Sequence, residues 1–177
     1  MKITFAPRGI LQIDDARIIY RNFSGESSKF NREGDRNFAV RFDLDNLTAV
    51  TFDGMTIYGQ DVIDELAKEG WNLKIKPPRD EDEAPFITLA VKVKFNDRGP
   101  VAYLKSGGNL VKLDEESISC LDDVDIMGVD LDIRPYDWEV NGKQGRTAYL
   151  QSIHVVQQID RFAARYADMG DEEKQPF

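Results

Sequence analysis

Between Tyr20 and Phe38 the chain interleaves four aromatic rings, Tyr20, Phe23, Phe30 and Phe38, with four cations, Arg21, Lys29, Arg32 and Arg36. Such interleaving can hold an unpaired nucleic-acid strand, because cations follow its phosphates and every base offers a π-face to a ring. Tyr20 and Phe38 lie in strand-like flanks and are expected in the core. Phe23, just before the polar SGESSKFNREGD stretch, and Phe30 within it fall in the more polar loop, so they are the stacking candidates. A second segment, RPYDWEVNGKQGRTAY, alternates Arg134, Tyr136 and Trp138, which places all three on one strand face. Pro135, Asp137 and Glu139 take the other face. The pattern leaves open whether Trp138 fills the core, although Arg134 beside it argues for a face that is wet at one end. Lys143 and Arg146 follow near the turn as phosphate contacts. A third set, Trp71, Lys74, Lys76 and Arg79, is weaker, as are Lys92 and Lys94, because amphipathic strands produce the same spacing. One concave surface shared by these groups would make a groove.

Chemistry that breaks bonds is poorly provided for. His154, the single histidine, sits in an alternating strand with no second histidine, nearby cysteine or serine-centred elbow. It reads as a strand residue. Cys120 has no basic neighbour to lower its pKa and reads as a small buried residue rather than a nucleophile. Asp122, Asp123 and Asp125 are oxygen ligands of the kind that suits a hard divalent cation, yet they lack EF-hand spacing and read as a solvated acidic run. Glycine-rich nucleotide signatures are missing. No catalytic residue, metal site or cofactor is expected, and the chain is not read as an enzyme.

The net charge of −9 argues at first against a nucleic-acid partner, but the charges are segregated. Acidic residues crowd into Asp43–Glu69, Asp80–Glu83, Asp114–Asp132 and the C-terminal residues. Positive residues gather at Arg17–Arg41 and again at Lys92, Lys94, Arg98, Lys105 and Lys112. A segregated basic face on an acidic protein can still steer phosphate to itself. A length of 177 residues fits one domain with a real core. No apolar run approaches a bilayer span, MKITFAPRG lacks a signal-like apolar core, and one cysteine permits no internal disulfide. The expected location is a cytoplasm, with no membrane partner.

The elements that must position these groups are mostly strands. Ile10–Tyr20, broken at Asp14-Asp15, and Arg36–Leu44 carry strand patterns. ITLAVKVKF puts Ile87, Leu89, Val91, Val93 and Phe95 on one face and Thr88, Ala90, Lys92 and Lys94 on the other. Val101–Lys105 and Leu110–Leu113 flank Gly107-Gly108. Val124–Val140 and Arg146–Val156 flank Asn141-Gly142, a strong hairpin signal, with Lys143–Gly145 expected to widen the loop. Helical spacing appears at Asp61–Lys68, at Asp114–Leu121 behind an Asp114 cap, and at Asp160–Met169. The expectation is a mainly β fold: an OB-fold-like Greek-key barrel with one to three short helices and long decorated loops, and an open β-sandwich as second choice.

At the C-terminus, Asp171, Glu172 and Glu173 precede Pro176 and Phe177. A terminal ring beside its own carboxylate suits a partner pocket with an apolar floor and a basic rim. This segment, with the aromatic–cation loops, resembles phage-encoded single-stranded DNA-binding proteins, which join an OB-fold to an acidic C-terminal tail. The patterns RNFSG…N-x-E-G-x-R-N-F at Arg21–Phe38 and RPY-x-W-E-V-N-G-K at Arg134–Lys143 resemble phage early proteins. Lys174 and Gln175 interrupt the acidic run, and no isoleucine precedes Pro176, so the tail matches in part. The resemblance implies a domain over residues 1–168 that binds single-stranded DNA without sequence preference, and a tail over 169–177 that recruits replication and recombination proteins. Self-association is open. Two competing readings are an acidic DNA mimic that inhibits a DNA-binding enzyme, and a phage structural or assembly protein.

Overall fold

The computed structural model describes residues 1–78 and 80–159. Its strands are β1 (Lys2–Phe5), β2 (Leu11–Asp14), β3 (Arg17–Asn22), β4 (Arg36–Phe42), β5 (Thr48–Val50), β6 (Thr56–Tyr58), β7 (Leu73–Lys76) and β8 (Phe86–Val93). β9 (Val101–Ser106), β10 (Asn109–Leu113), β11 (Ile126–Val140) and β12 (Lys143–Gln157) follow, and one helix, α1 (Gln60–Lys68), joins β6 to β7.

The pairing order closes on itself. β3 pairs with β4, β4 with β8, β8 with β12, β12 with β11, and β11 with β2. Only Asp15 and Ala16 separate β2 from β3, so the two act as one bent strand. Asp15 makes the bend at φ +54°, and the Ala16 amide donates to the Val129 carbonyl of β11 at 2.8 Å. The β8–β12 neighbours run parallel and the other barrel neighbours antiparallel. The result is the OB-like Greek-key barrel expected from the sequence. β1, β5 and β6 extend the sheet from β2, β7 lies along β8, and the β9–β10 hairpin lies along β12 beyond the end of β8.

Alternation sets the inside of the barrel. Phe38 stands opposite Val91, Val40 opposite Leu89, and Ala148 on β12 also meets Val91. All five are nearly or wholly buried. α1 adds Val62, Ile63 and Leu66 from one stripe and stops at Gly70, whose φ of +94° ends the helix without a side-chain penalty. Fully burying each large apolar side chain contributes roughly 1.5–3 kcal/mol.

Two local expectations are corrected. The helix expected over Asp114–Leu121 is a 3₁₀ turn at Ser117–Asp122. Asp114 precedes the turn rather than capping it, and accepts from the amides of Glu116 and Ser117 at 3.0 and 2.8 Å. These bonds, those to Ser117 foremost, hold its carboxyl below the ordinary value. Ile118 and Leu121 are three residues apart, and a turn of three residues sends both into the core. The hairpin between β11 and β12 is not widened either: Val140 pairs directly with Lys143. Asn141 at φ +52° and Gly142 at φ +78° make a two-residue turn with the twist a tight hairpin needs. The helix expected over Asp160–Met169 and the tail lie outside the described residues.

Candidate nucleic-acid interface

Register, not sequence proximity, assembles the site. On the outer side of the barrel, Asn37 of β4 stands opposite Lys92 of β8, Lys92 opposite Tyr149 of β12, and Tyr149 opposite Arg134 of β11. The four residues form a row across four neighbouring strands. The Arg134 guanidinium lies 4.9 Å from the Tyr149 ring centre, and Tyr136 meets Tyr149 edge to face at 6.0 Å. The row then turns along the far half of the β11–β12 hairpin, which projects as an arm. One face of that arm carries Arg134, Tyr136, Trp138 and Val140 opposite Tyr149, Thr147, Gly145 and Lys143. Tyr136 and Trp138 are 55% and 39% exposed, so neither ring is sealed in the core. No carboxylate stands on this face of the arm. Among the described residues, Lys92, Lys94, Arg134 and Lys143 make no ion pair.

Lys74 pairs with Thr88 and Lys76 with Phe86, so β7 adds both lysines to the side of the sheet that bears Lys92. The Lys76 ammonium lies 5.9 Å from the ring of Tyr20. Tyr20 is a correction: it is 49% exposed, not core, because an irregularity in β3 at φ +54° turns it outward.

The loop before β4 divides its rings. Phe30 is 91% exposed, with the Lys29 ammonium 5.8 Å from its ring centre, and Arg32 is exposed beside it. Phe23 is wholly buried and stacks on Phe38 at 5.1 Å. The expectation of an exposed Phe23 therefore fails. Its backbone amide and that of Ser24 donate to the Asp122 carboxylate at 2.7 and 3.1 Å, which pins the chain at the start of the loop and turns the ring inward. Asn31 closes the loop, its Nδ2 lying within hydrogen-bond distance of the Glu26, Arg32 and Asp35 carbonyls for its two N–H groups, and the Asn37 amide donates to Asn31 at 2.8 Å. The loop is thereby anchored beside the first residue of the row.

Three arginines expected at the interface are committed elsewhere. Arg21 donates to the carbonyls of Leu121 and Val124, both at 2.8 Å. Arg36 donates to the carbonyls of Phe23 and Glu115 at 2.9 and 3.0 Å and lies 5.5 Å from the Phe95 ring centre. Arg146 points to the other face of the arm, where Nε and Nη2 grip Asp137 at 2.7 and 3.1 Å. That hydrogen bond holds the Asp137 carboxyl below its ordinary value. Arg146 also covers the ring of Trp71, which is buried rather than available for stacking. Arg21 and Arg36 thereby satisfy part-buried carbonyls, those of Leu121, Val124 and Phe23, whereas Arg146 pairs with an exposed carboxylate.

Sequence reasoning missed Tyr149, Asn37 and Gly145. Tyr149 carried a signal, since it alternates with Thr147 and Gly145; Asn37 carried none. Elsewhere, His154 lies opposite Asp130 within the sheet. Burial, then Asp122 and Asp123, push the Cys120 thiol up, which keeps it protonated. Among the described residues no cluster of histidine, cysteine and carboxylate groups could hold a metal ion, and no helix is long and apolar enough to cross a membrane.

Three comparisons bear on this geometry. Among solved structures, the single-stranded DNA-binding protein of bacteriophage Enc34 in complex with ssDNA matches with a TM-score of 0.52 at 13% identity, covering 89% of this chain and 92% of that one. A second structure of that phage protein matches with a TM-score of 0.51 at 12% identity, covering 97% and 99%. Its C-terminally truncated form gives 0.50 at 14% identity, covering 88% and 90%. These likenesses are of fold. Among curated protein sequences none matches. A family model described as "Putative phage ssDNA-binding domain" covers residues 2–175. The chain therefore belongs to the phage single-stranded DNA-binding domain family, whose members are binding proteins and not enzymes.

Proposed function

We propose that the chain coats single-stranded DNA with little sequence preference, along the row from Asn37 through Lys92 and Tyr149 to Arg134 and outward along the arm. The observation that carries this is the Arg134–Tyr149–Tyr136 cluster in register with Lys92, on a face whose arm bears no carboxylate. Tyr136, Trp138 and Phe30 stack bases, each contributing ~1–3 kcal/mol. Lys92, Lys94, Arg134 and Lys143 neutralise phosphates, with Lys74 and Lys76 on the β7 side and Lys29 and Arg32 on the loop. Stacking is indifferent to base identity, which accounts for the lack of preference. The OB-like barrel supports the reading, because this architecture binds oligonucleotides on its second and third strands and at the two loops that here are residues 23–35 and the β11–β12 turn. So does the ssDNA complex of the Enc34 protein, a similar fold.

The finer assignments extend that reading. Residues 1–168 form the DNA-binding domain, and the acidic segment 169–177 recruits replication and recombination proteins through Asp171, Glu172, Glu173, Pro176 and Phe177. The setting is the cytoplasm of a bacterial host, and self-association is decided by sizing. Titration of Trp138 fluorescence with an oligonucleotide at two salt concentrations tests the core of the proposal. About five phosphate contacts give a slope of log K on log salt of roughly −3.5. No quenching and no binding at low salt would end it. Deleting 171–177 should hold or raise DNA affinity while abolishing partner capture.

A further inference from the structure

Gly145 sits inside β12 without a conformational reason to be glycine. Its φ lies outside the left-handed region, unlike that of Gly142 three residues earlier. Glycine inside a strand weakens it, so another cause must keep one there. The cause is on the opposite strand. Gly145 is the cross-strand partner of Trp138, and a Cβ built on Gly145 would overlap Cζ2 and Cε2 of the indole. The ring lies against the bare backbone of β12, closer than any side chain would allow. Trp138 remains 39% exposed.

We propose that Gly145 is a positioning residue that seats the Trp138 indole face down across the arm, leaving one open face for a single unstacked base. This rests on the DNA-binding reading and adds a constraint to it: the ring is pre-set rather than free to rotate. A ring held in place loses less entropy when a base settles on it. It also presents one face, so it accepts a base from a single strand and cannot intercalate between two.

A thermodynamic cycle in the full chain tests the proposal. Gly145→Ala should weaken binding of a short oligothymidylate about three- to tenfold, as stacking on a tilted ring becomes poorer. In a Trp138→Ala background the same change should cost nothing further, because no ring remains to displace. Acrylamide quenching of the free protein reads the seat without DNA. Trp71 is buried, so the quenched signal is Trp138, and Gly145→Ala should raise it. If Gly145→Ala fails to fold, folding regained in the double variant would show the same coupling. Equal affinity losses in both backgrounds, unchanged quenching, or a double variant that also fails to fold would overturn the proposal. Absence of oligonucleotide binding by the unaltered chain would instead sink the DNA reading, with quenching still deciding the seat.

Discussion

Arg134 and Arg146 belong to one hairpin and face opposite ways, and the contrast explains how an acidic protein keeps a cationic surface. Arg146 shares its face with Asp137 and Glu139, is clamped by Asp137 through two hydrogen bonds, and spends its charge there. Arg134 shares its face with Tyr136, Trp138 and Lys143 and rests on Tyr149, with no ion pair among the described residues. Counting cations along the sequence therefore overstates the field, and counting net charge understates it. What matters is the parity of a residue in its strand. Proximal to the arm the same outer side of β11 turns acidic, with Asp130 and Asp132 already accepting from the Asp15 amide and the Ser152 hydroxyl. The cationic face is thus bounded, and under the proposed reading a phosphate backbone would follow it outward along the arm.

The loop before β4 repeats the contrast with rings, and there the largest effect is expected. Phe23→Ala should cost about 3–5 kcal/mol of stability through the cavity it leaves against Phe38. Phe30→Ala should leave the melting temperature unchanged and weaken oligonucleotide binding instead. Thermal unfolding and titration of both variants separate a core ring from a surface one. If both lost affinity equally with no change in stability, the division between the two rings would fall.

Reversing charge on the two arm faces sharpens the comparison next. Lys92→Glu with Arg134→Glu should weaken binding at low salt by roughly 100-fold, since two phosphate contacts become repulsive. Arg146→Gln should change affinity far less and lower stability instead, because Asp137 loses its partner. Filter-binding curves and melts on the same preparations distinguish the two. Arg36→Met comes third: leaving the part-buried Phe23 carbonyl without a donor should cost roughly 1–3 kcal/mol of stability. Affinity measured well below the melting temperature should hold.

Much of the molecule is legible in its sequence alone. The alternation in ITLAVKVKF and the Asn141-Gly142 pair encode β8 and the long hairpin, because both signals are local and each has one dominant physical solution. The stacking candidates Phe30, Tyr136 and Trp138 are legible as types. Their sorting is not. Phe23 and Phe30 differ through Asp122, about a hundred residues away in sequence, which pins the backbone at Phe23. Arg21 and Arg36 look like free cations until the carbonyls of Leu121, Val124 and Glu115 fold over them. Gly145 reads as loop because glycine after Asn-Gly suggests a wider turn, whereas its role lies across the strand at Trp138. Long-range partners of this kind leave no periodic trace.

The smallest effect concerns acid. The Asp137 carboxyl lies below its ordinary value because Arg146 donates to it. Its contribution to stability is therefore present above the ordinary carboxylate range, near pH 4, and is lost as pH falls through its lowered value. Melts from pH 7 to 5 should show no change from this pair, with a decline only below about pH 4 that Asp137→Asn abolishes. A decline beginning near pH 6 would assign the effect to other groups.

Amide shift mapping with a short oligothymidylate reads the proposed DNA path residue by residue. Perturbations are expected at Asn37, Lys92, Tyr149 and the 134–138 stretch, fading toward β5 and β6. Shifts confined to the acidic half of β11 or to β5 and β6, with the arm unmoved, would contradict that path.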